Sequence, residues 1–159
     1  GFSIPAAIGA KAGMPDRRVW AVDGDGNFQM TAQELVTATV EDIPIKVALF
    51  NNSYLGMVRQ WQEMFYDERF SEVHLSDHVP DYVKWAESMG AVGIRVESPE
   101  EVAPAIAEAN EVNDRSVVIE FVTDARENVF PMVPAGATNS DVVVDPSQQH
   151  LLDGTGGDS

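Results

Sequence analysis

The chain has 159 residues, the length of one domain, and its 44% apolar content can fill a single core. Ten Lys and Arg against 26 Asp and Glu leave a net charge of −16, which argues against nucleic acid or an anionic membrane surface as a partner. Without cysteine there is no disulfide, thiolate metal site or cysteine nucleophile, and no apolar run approaches a membrane span, so a cytoplasmic protein is expected. The acids are scattered and read as a solvated surface; adaptation to high salt, where self-repulsion is screened, is the sharper alternative. Gly1 opens the sequence with neither an initiator Met nor the basic start of a signal peptide, which reads as a fragment of a longer protein.

Residues 3–12 carry the small apolar side chains Ala6, Ala7, Ile8 and Ala10 and stop at Gly13, which predicts a helix packed close to a sheet. Pro15-Asp16-Arg17-Arg18 predicts a turn, and Val19-Trp20-Ala21-Val22 a buried strand leading into Gly24-Asp25-Gly26. Thr31-Ala32-Gln33-Glu34 has the form of a capping box, followed by an apolar stripe of Ala32, Leu35, Val36 and Val40. A helix is therefore expected to start just beyond Gly26 and Asn27. Asp42-Ile43-Pro44 turns the chain into a second strand, Ile45 to Phe50 in sequence, which runs straight into Asn51-Asn52.

From 54 to 65 the pattern is helical and unusually apolar, with Leu55, Met57, Val58, Trp61, Met64 and Phe65. Periodicity alone leaves two readings, a core helix or a helix lining a cavity. Residues 67–80 read as loop, and without a helix beneath them His74 and His78 do not form a metal pair. Residues 81–89 predict a helix burying Tyr82, Trp85, Ala86 and Met89, with Gly90 as its stop. Val92-Gly93-Ile94-Arg95-Val96 predicts a third strand. Ser98-Pro99-Glu100-Glu101 combines an N-cap, a first-turn proline and a capping-box glutamate, opening a helix to about Ala109, and 116–122 predict a fourth strand. The alternation indicates an α/β domain of three layers, α/β/α, with a mostly parallel sheet, spanning 1–130. An extended arm over 131–145 and a disordered tail over 146–159 are expected to follow.

Parallel strands present their C-terminal ends at one edge, where open α/β sheets bind ligands, so Asp25 and Asn52 should stand side by side. A carboxylate and an amide carbonyl are hard oxygen donors suited to Mg²⁺ that also holds phosphate oxygens, while Gly26 allows close backbone approach and Asn27 can donate to phosphate. A nicotinamide-type site is disfavoured because Gln29 occupies the place of the third glycine in the Gly-x-Gly-x-x-Gly pattern. Asn51-Asn52-Ser53 also matches a glycosylation sequon, dismissed at a buried strand end.

Gly24-Asp25-Gly26-Asn27 followed at this distance by Asn51-Asn52 resembles the cofactor motif of thiamine-diphosphate enzymes. The continuation Gly56-Met57-Val58-Arg59-Gln60-Trp61-Gln62 resembles the catalytic subunit of acetohydroxyacid (acetolactate) synthase. The resemblance covers roughly 1–133 and implies the thiamine-diphosphate-binding fold. It implies Asp25, Asn52 and the Tyr54 backbone carbonyl as Mg²⁺ ligands, with Gly24, Gly26, Asn27, Leu55 and Gly56 along the diphosphate. Met57 and Val58 would line the substrate cavity, and Trp61 would favour 2-oxobutyrate over pyruvate as acceptor. Pyruvate, after decarboxylation, would be joined to pyruvate or 2-oxobutyrate to give precursors of valine, leucine and isoleucine.

FAD, a regulatory small subunit and a homodimer or larger assembly with the active site shared between chains are implied in the same way. The family's activating glutamate, its FAD-binding domain and the methionine that supports the bent cofactor would lie upstream of Gly1, so this fragment alone is expected to be inactive. The arm at 131–136 resembles one over the family's active site, with Ala135 in place of a frequent glycine. Two alternatives stand beside this reading: another thiamine-diphosphate decarboxylase or carboligase, of the glyoxylate carboligase or pyruvate oxidase type, and a non-catalytic module retaining the fold.

Overall fold

The computed structural model describes residues 1–148, in two units, Gly1–Ala125 and a second that begins at Arg126. The first unit is built on four strands, β1 (Trp20–Gly24), β2 (Lys46–Asn51), β3 (Val92–Val96) and β4 (Val117–Val122), all parallel, in the order β1-β2-β4-β3. Six helices accompany them: α1 (Ser3–Gly13), α2 (Asp25–Thr31), α3 (Glu34–Val40), α4 (Gly56–Phe65), α5 (Tyr82–Ser88) and α6 (Pro99–Glu111).

Alternate side chains of the strands enter two cores. Ala21, Val47, Leu49 and Val118 face α1, α2, α3 and α5, whose Ile4, Phe28, Leu35, Tyr82 and Ala86 complete one core. Val117, Ile119 and Phe121 face α6, meeting Ala105 and Ala109 in the other. This is the three-layer arrangement expected, with every described strand pair parallel. Phe28 anchors the larger core, edge-on to Tyr82 at 5.9 Å and Trp85 at 5.6 Å between ring centres.

Two local expectations are overturned after β1. The helix begins at Asp25 itself, because extended Gly24 (φ −98°, ψ 159°) delivers the strand directly into the first helical turn. The capping box at Thr31 does not form. Gln33, the residue before α3, is already helical (φ −57°, ψ −21°), so no extended cap residue is present. Thr31 instead donates its hydroxyl to the Gly1 carbonyl at 3.1 Å, and Glu34 accepts from the Thr37 hydroxyl at 3.0 Å. The buried stripe is accordingly Ala32, Leu35 and Ala38, whereas Val36 and Val40 are exposed.

The predicted caps elsewhere are present. Ser98 and Glu101 close the capping box of α6, which runs on through Pro104 to Glu111, and Gly90 takes φ +86° at the end of α5. In the second unit Met132 and Val143 form an antiparallel bridge, and Thr138 and Asp141 cap the short 3-10 turn Asn139–Asp141. Residues 149–159 of the expected tail lie outside the described residues. Among the described residues no helix is long and apolar enough to cross a membrane.

Candidate functional site

The C-terminal ends of β1 and β2 stand side by side, with Gly24 in register with Phe50. Where they end, Asp25 opens α2 and Asn52 opens the loop to α4. Both line one cavity of about 320 Å³ together with Gly24, Gly26 and Asn27 on one wall and Tyr54, Leu55 and Gly56 on the other. Met57 and Val58, from the first turn of α4, also reach it. Phe50 and Thr123 complete the lining and were not among the residues expected from sequence.

Asp25 is 3% exposed. Its Oδ1 accepts from the Gly26 N–H at 2.8 Å, but Oδ2 is buried with no hydrogen-bond partner among the described residues. Burial pushes the carboxyl pKa above its ordinary value, opposed in part by the backbone N–H groups of Gly26 and Ser53. An unpaired buried carboxylate oxygen of this kind is disfavoured unless something cationic completes it. Gly26 keeps the wall close: a Cβ there would lie 2.9 Å from Leu55 Cδ2.

On the opposite wall Asn52 Oδ1 accepts from the Tyr54 N–H at 3.1 Å, leaving a second lone pair. Tyr54 forms an isolated antiparallel bridge with His74, whose two hydrogen bonds run from Leu55 N to Val73 O and from Leu75 N to Ser53 O. The Tyr54 carbonyl takes part in neither. Asp25 Oδ2, Asn52 Oδ1 and the Tyr54 carbonyl are thus three hard oxygens belonging to cavity-lining residues, a set suited to Mg²⁺. His74 is occupied with Asp77 at 3.1 Å, and among the described residues no group of three or more His, Cys, Asp or Glu could hold a metal.

Helix α4 is not a core helix. It buries Arg59 and Gln60, while Met57 and Val58 are about half exposed at 50% and 49%. Arg59 pairs with Glu63 at 3.0 Å and lies near the rings of Tyr54 and Phe70. The apolar face therefore points to cavities. Trp61 does not line the cavity of Asp25; it lines a neighbouring one with Gln62, Tyr66 and Arg69, and Met57 and Val58 border both.

Residues 1–121 match the family model described as "Thiamine pyrophosphate enzyme, C-terminal TPP binding domain". The chain is 57% identical over 145 residues to the acetolactate synthase large subunit of Corynebacterium glutamicum, covering 89% of this chain and 23% of that protein. It is 43% identical over 134 residues to the acetolactate synthase isozyme 3 large subunit of Escherichia coli, covering 83% of this chain and again 23% of the relative. Among solved structures, the thiamine diphosphate-dependent 4-hydroxybenzoylformate decarboxylase of Rhodococcus jostii RHA1 superposes with a TM-score of 0.72 at 28% identity, over 80% of this chain and 24% of that one. The chain thus spans about a quarter of the length of these proteins.

Proposed function

The chain belongs to the thiamine pyrophosphate enzymes, matching their C-terminal TPP binding domain, and on that premise we propose that it is the cofactor-holding part of an acetolactate synthase large subunit. The observation that carries the site assignment is the buried, unpaired Asp25 Oδ2 in the cavity shared with Asn52. Asp25, Asn52 and the Tyr54 carbonyl would hold Mg²⁺, and through it the diphosphate, with Gly24, Gly26, Asn27, Leu55 and Gly56 alongside. A net charge of −16 favours a bridging cation, because the overall field of the chain repels a bare diphosphate.

Thiamine diphosphate, when bound, supplies the electron sink for decarboxylating a 2-oxo acid and passing on the remaining two-carbon unit. The chain's own residues bind and orient. Met57 and Val58 shield the cavity from water with apolar surface, and Trp61, one turn further along α4, would shape the neighbouring space for the acceptor. Pyruvate would be the donor, and pyruvate or 2-oxobutyrate the acceptor. An aromatic wall can reward one extra methylene by only about 1–3 kcal/mol, so Trp61 sets a preference rather than an exclusion. The designation of relatives as large subunits supports a regulatory small subunit as partner. A shared active site between at least two large subunits, FAD bound by regions outside this chain, and a cytoplasmic setting complete the reading.

The test is Asp25→Ala in the full-length polypeptide. Mg²⁺-dependent binding of thiamine diphosphate, followed by calorimetry, and acetolactate formation from pyruvate should both be lost; unchanged cofactor affinity rejects the assignment.

A further inference from the structure

Glu120 is the only charged residue in β4, a strand otherwise of Val, Ile and Phe, and it is 2% exposed. A carboxylate in such surroundings must have its oxygens paired. Oε2 accepts from Arg95 Nε at 2.8 Å, directly across on β3, and Oε1 accepts from Asn51 Nδ2 at 2.7 Å, diagonally across on β2. Arg95 is held in turn by Asp81 at 3.2 Å.

Asn51 passes this contact into the loop that carries Asn52 and Tyr54. Its Oδ1 accepts from the Ser53 N–H at 3.1 Å, and its backbone carbonyl accepts from the Thr123 N–H at 2.9 Å. Ser53 has φ +61°, a left-handed conformation that a non-glycine residue keeps only where its surroundings impose it. Asn52 then repeats the turn, accepting from the Tyr54 N–H. A carboxylate only accepts, so it compels the Asn51 NH₂ to face β4 and the Asn51 carbonyl oxygen to face Ser53. A glutamine at 120 could pair with Asn51 in either orientation.

We propose that Glu120 is a positioning residue for the cation site: without touching cation or cofactor, it fixes the Asn51 amide and the Ser53 backbone, and so aims Asn52 Oδ1 and the Tyr54 carbonyl. This rests on the reading of Asp25, Asn52 and Tyr54 as the cation's ligands. Partners that orient ligands in this way typically matter by 10–100-fold in metal affinity. A purely structural bridge between β2, β4 and β3 would alter stability and leave metal affinity alone.

The experiment uses the full-length protein with saturating thiamine diphosphate and Mn²⁺ in place of Mg²⁺, free Mn²⁺ being read by electron paramagnetic resonance. Glu120→Gln and Asn51→Ala should each raise the Mn²⁺ dissociation constant roughly tenfold or more. The double variant should be no weaker than Asn51→Ala alone, because both act through one link. Parental affinity in the folded single variants, or additive losses in the double variant, overturns the proposal while Asp25→Ala still abolishes binding. An Asp25→Ala protein that binds Mn²⁺ like the parent overturns the ligand assignment itself, and this proposal with it. Should Glu120→Gln fail to fold, Glu120→Asp takes its place, keeping the charge in β4 while drawing the carboxylate back from Asn51 Nδ2, with the same outcomes deciding.

Discussion

Burial sets Asp25 against the cofactor-free fold, and on the proposed reading a bound cation offsets that cost. Its pKa is raised by burial above the ordinary 3.8, with the Gly26 and Ser53 N–H groups opposing. A carboxyl whose folded pKa exceeds its unfolded value contributes stability below the unfolded pKa, and that contribution is lost as pH rises through the folded one. At pH 7 the charged, buried Asp25 therefore weakens the cofactor-free protein. Asp25→Asn should raise the thermal midpoint without cofactor at pH 7 and erase the upward shift that Mg²⁺ and thiamine diphosphate give the parent. Differential scanning fluorimetry with and without both ligands measures the two effects; a lower midpoint in the cofactor-free variant would contradict the burial argument. Asp23, also buried with an unpaired Oδ2 and a pKa raised by burial, does not line the cavity. Asp23→Asn should raise the midpoint and leave the ligand-induced shift intact. With Asp25 as the proposed ligand, protons would compete with the cation for its carboxylate, so Mg²⁺ affinity should weaken as pH falls toward the raised pKa, beginning above pH 3.8.

Close packing of elements gives a second kind of sensitivity. At Gly93 of β3 a Cβ would lie 2.7 Å from the Val83 carbonyl oxygen and 2.9 Å from Val83 Cα, so α5 itself would have to move. Gly93→Ala should cost roughly 1–3 kcal/mol of unfolding free energy, read from the urea midpoint at unchanged slope. Gly26→Ala meets two side-chain tips, Leu55 Cδ2 at 2.9 Å and Leu75 Cδ1 at 3.4 Å, and Leu55 is 39% exposed, so its folding cost should stay below about 1 kcal/mol while the displaced Leu55 lowers cofactor affinity. The strands were legible as short apolar runs, α1 as small side chains stopped at Gly13, α5 by its apolar face and Gly90, and α6 by its Ser98–Glu101 capping signals. Asp25 and Asn52 were legible because each ends an apolar strand. The start of α2 was not, since the capping pattern at Thr31 is local and the chain arrives there already helical. For α4 the period found an apolar face, but periodicity does not say whether that face meets a core or a cavity. Glu120 left one trace, a lone acid among apolar neighbours; its role depends on Asn51 and Arg95, brought beside it by the strand order β1-β2-β4-β3.

At the scale of the whole molecule, charge and apolar surface oppose one another. Parallel sheets are normally covered on both faces. In the described unit α6 packs on β3 and β4, while Val22, Phe50, Val122 and Ile106 remain exposed, lining an apolar cavity of about 600 Å³ beside it. Such a surface favours association, and a net charge of −16 resists it. Salt tips this balance, because the screening length falls from about 10 Å at 0.1 M to about 3 Å at 1 M. Screening also relieves repulsion within each folded chain. For the isolated chain, raising KCl toward 1 M should therefore raise the thermal midpoint and, in the same range, shift sedimentation from monomer toward larger species. Val22→Asp, which adds a charge to the exposed apolar face, should keep the rise in midpoint and suppress the association. If the variant associates as the parent does, the apolar face is not what joins the chains; if the midpoint is insensitive to KCl, the acidic surface is solvated well enough that self-repulsion is not what limits the fold.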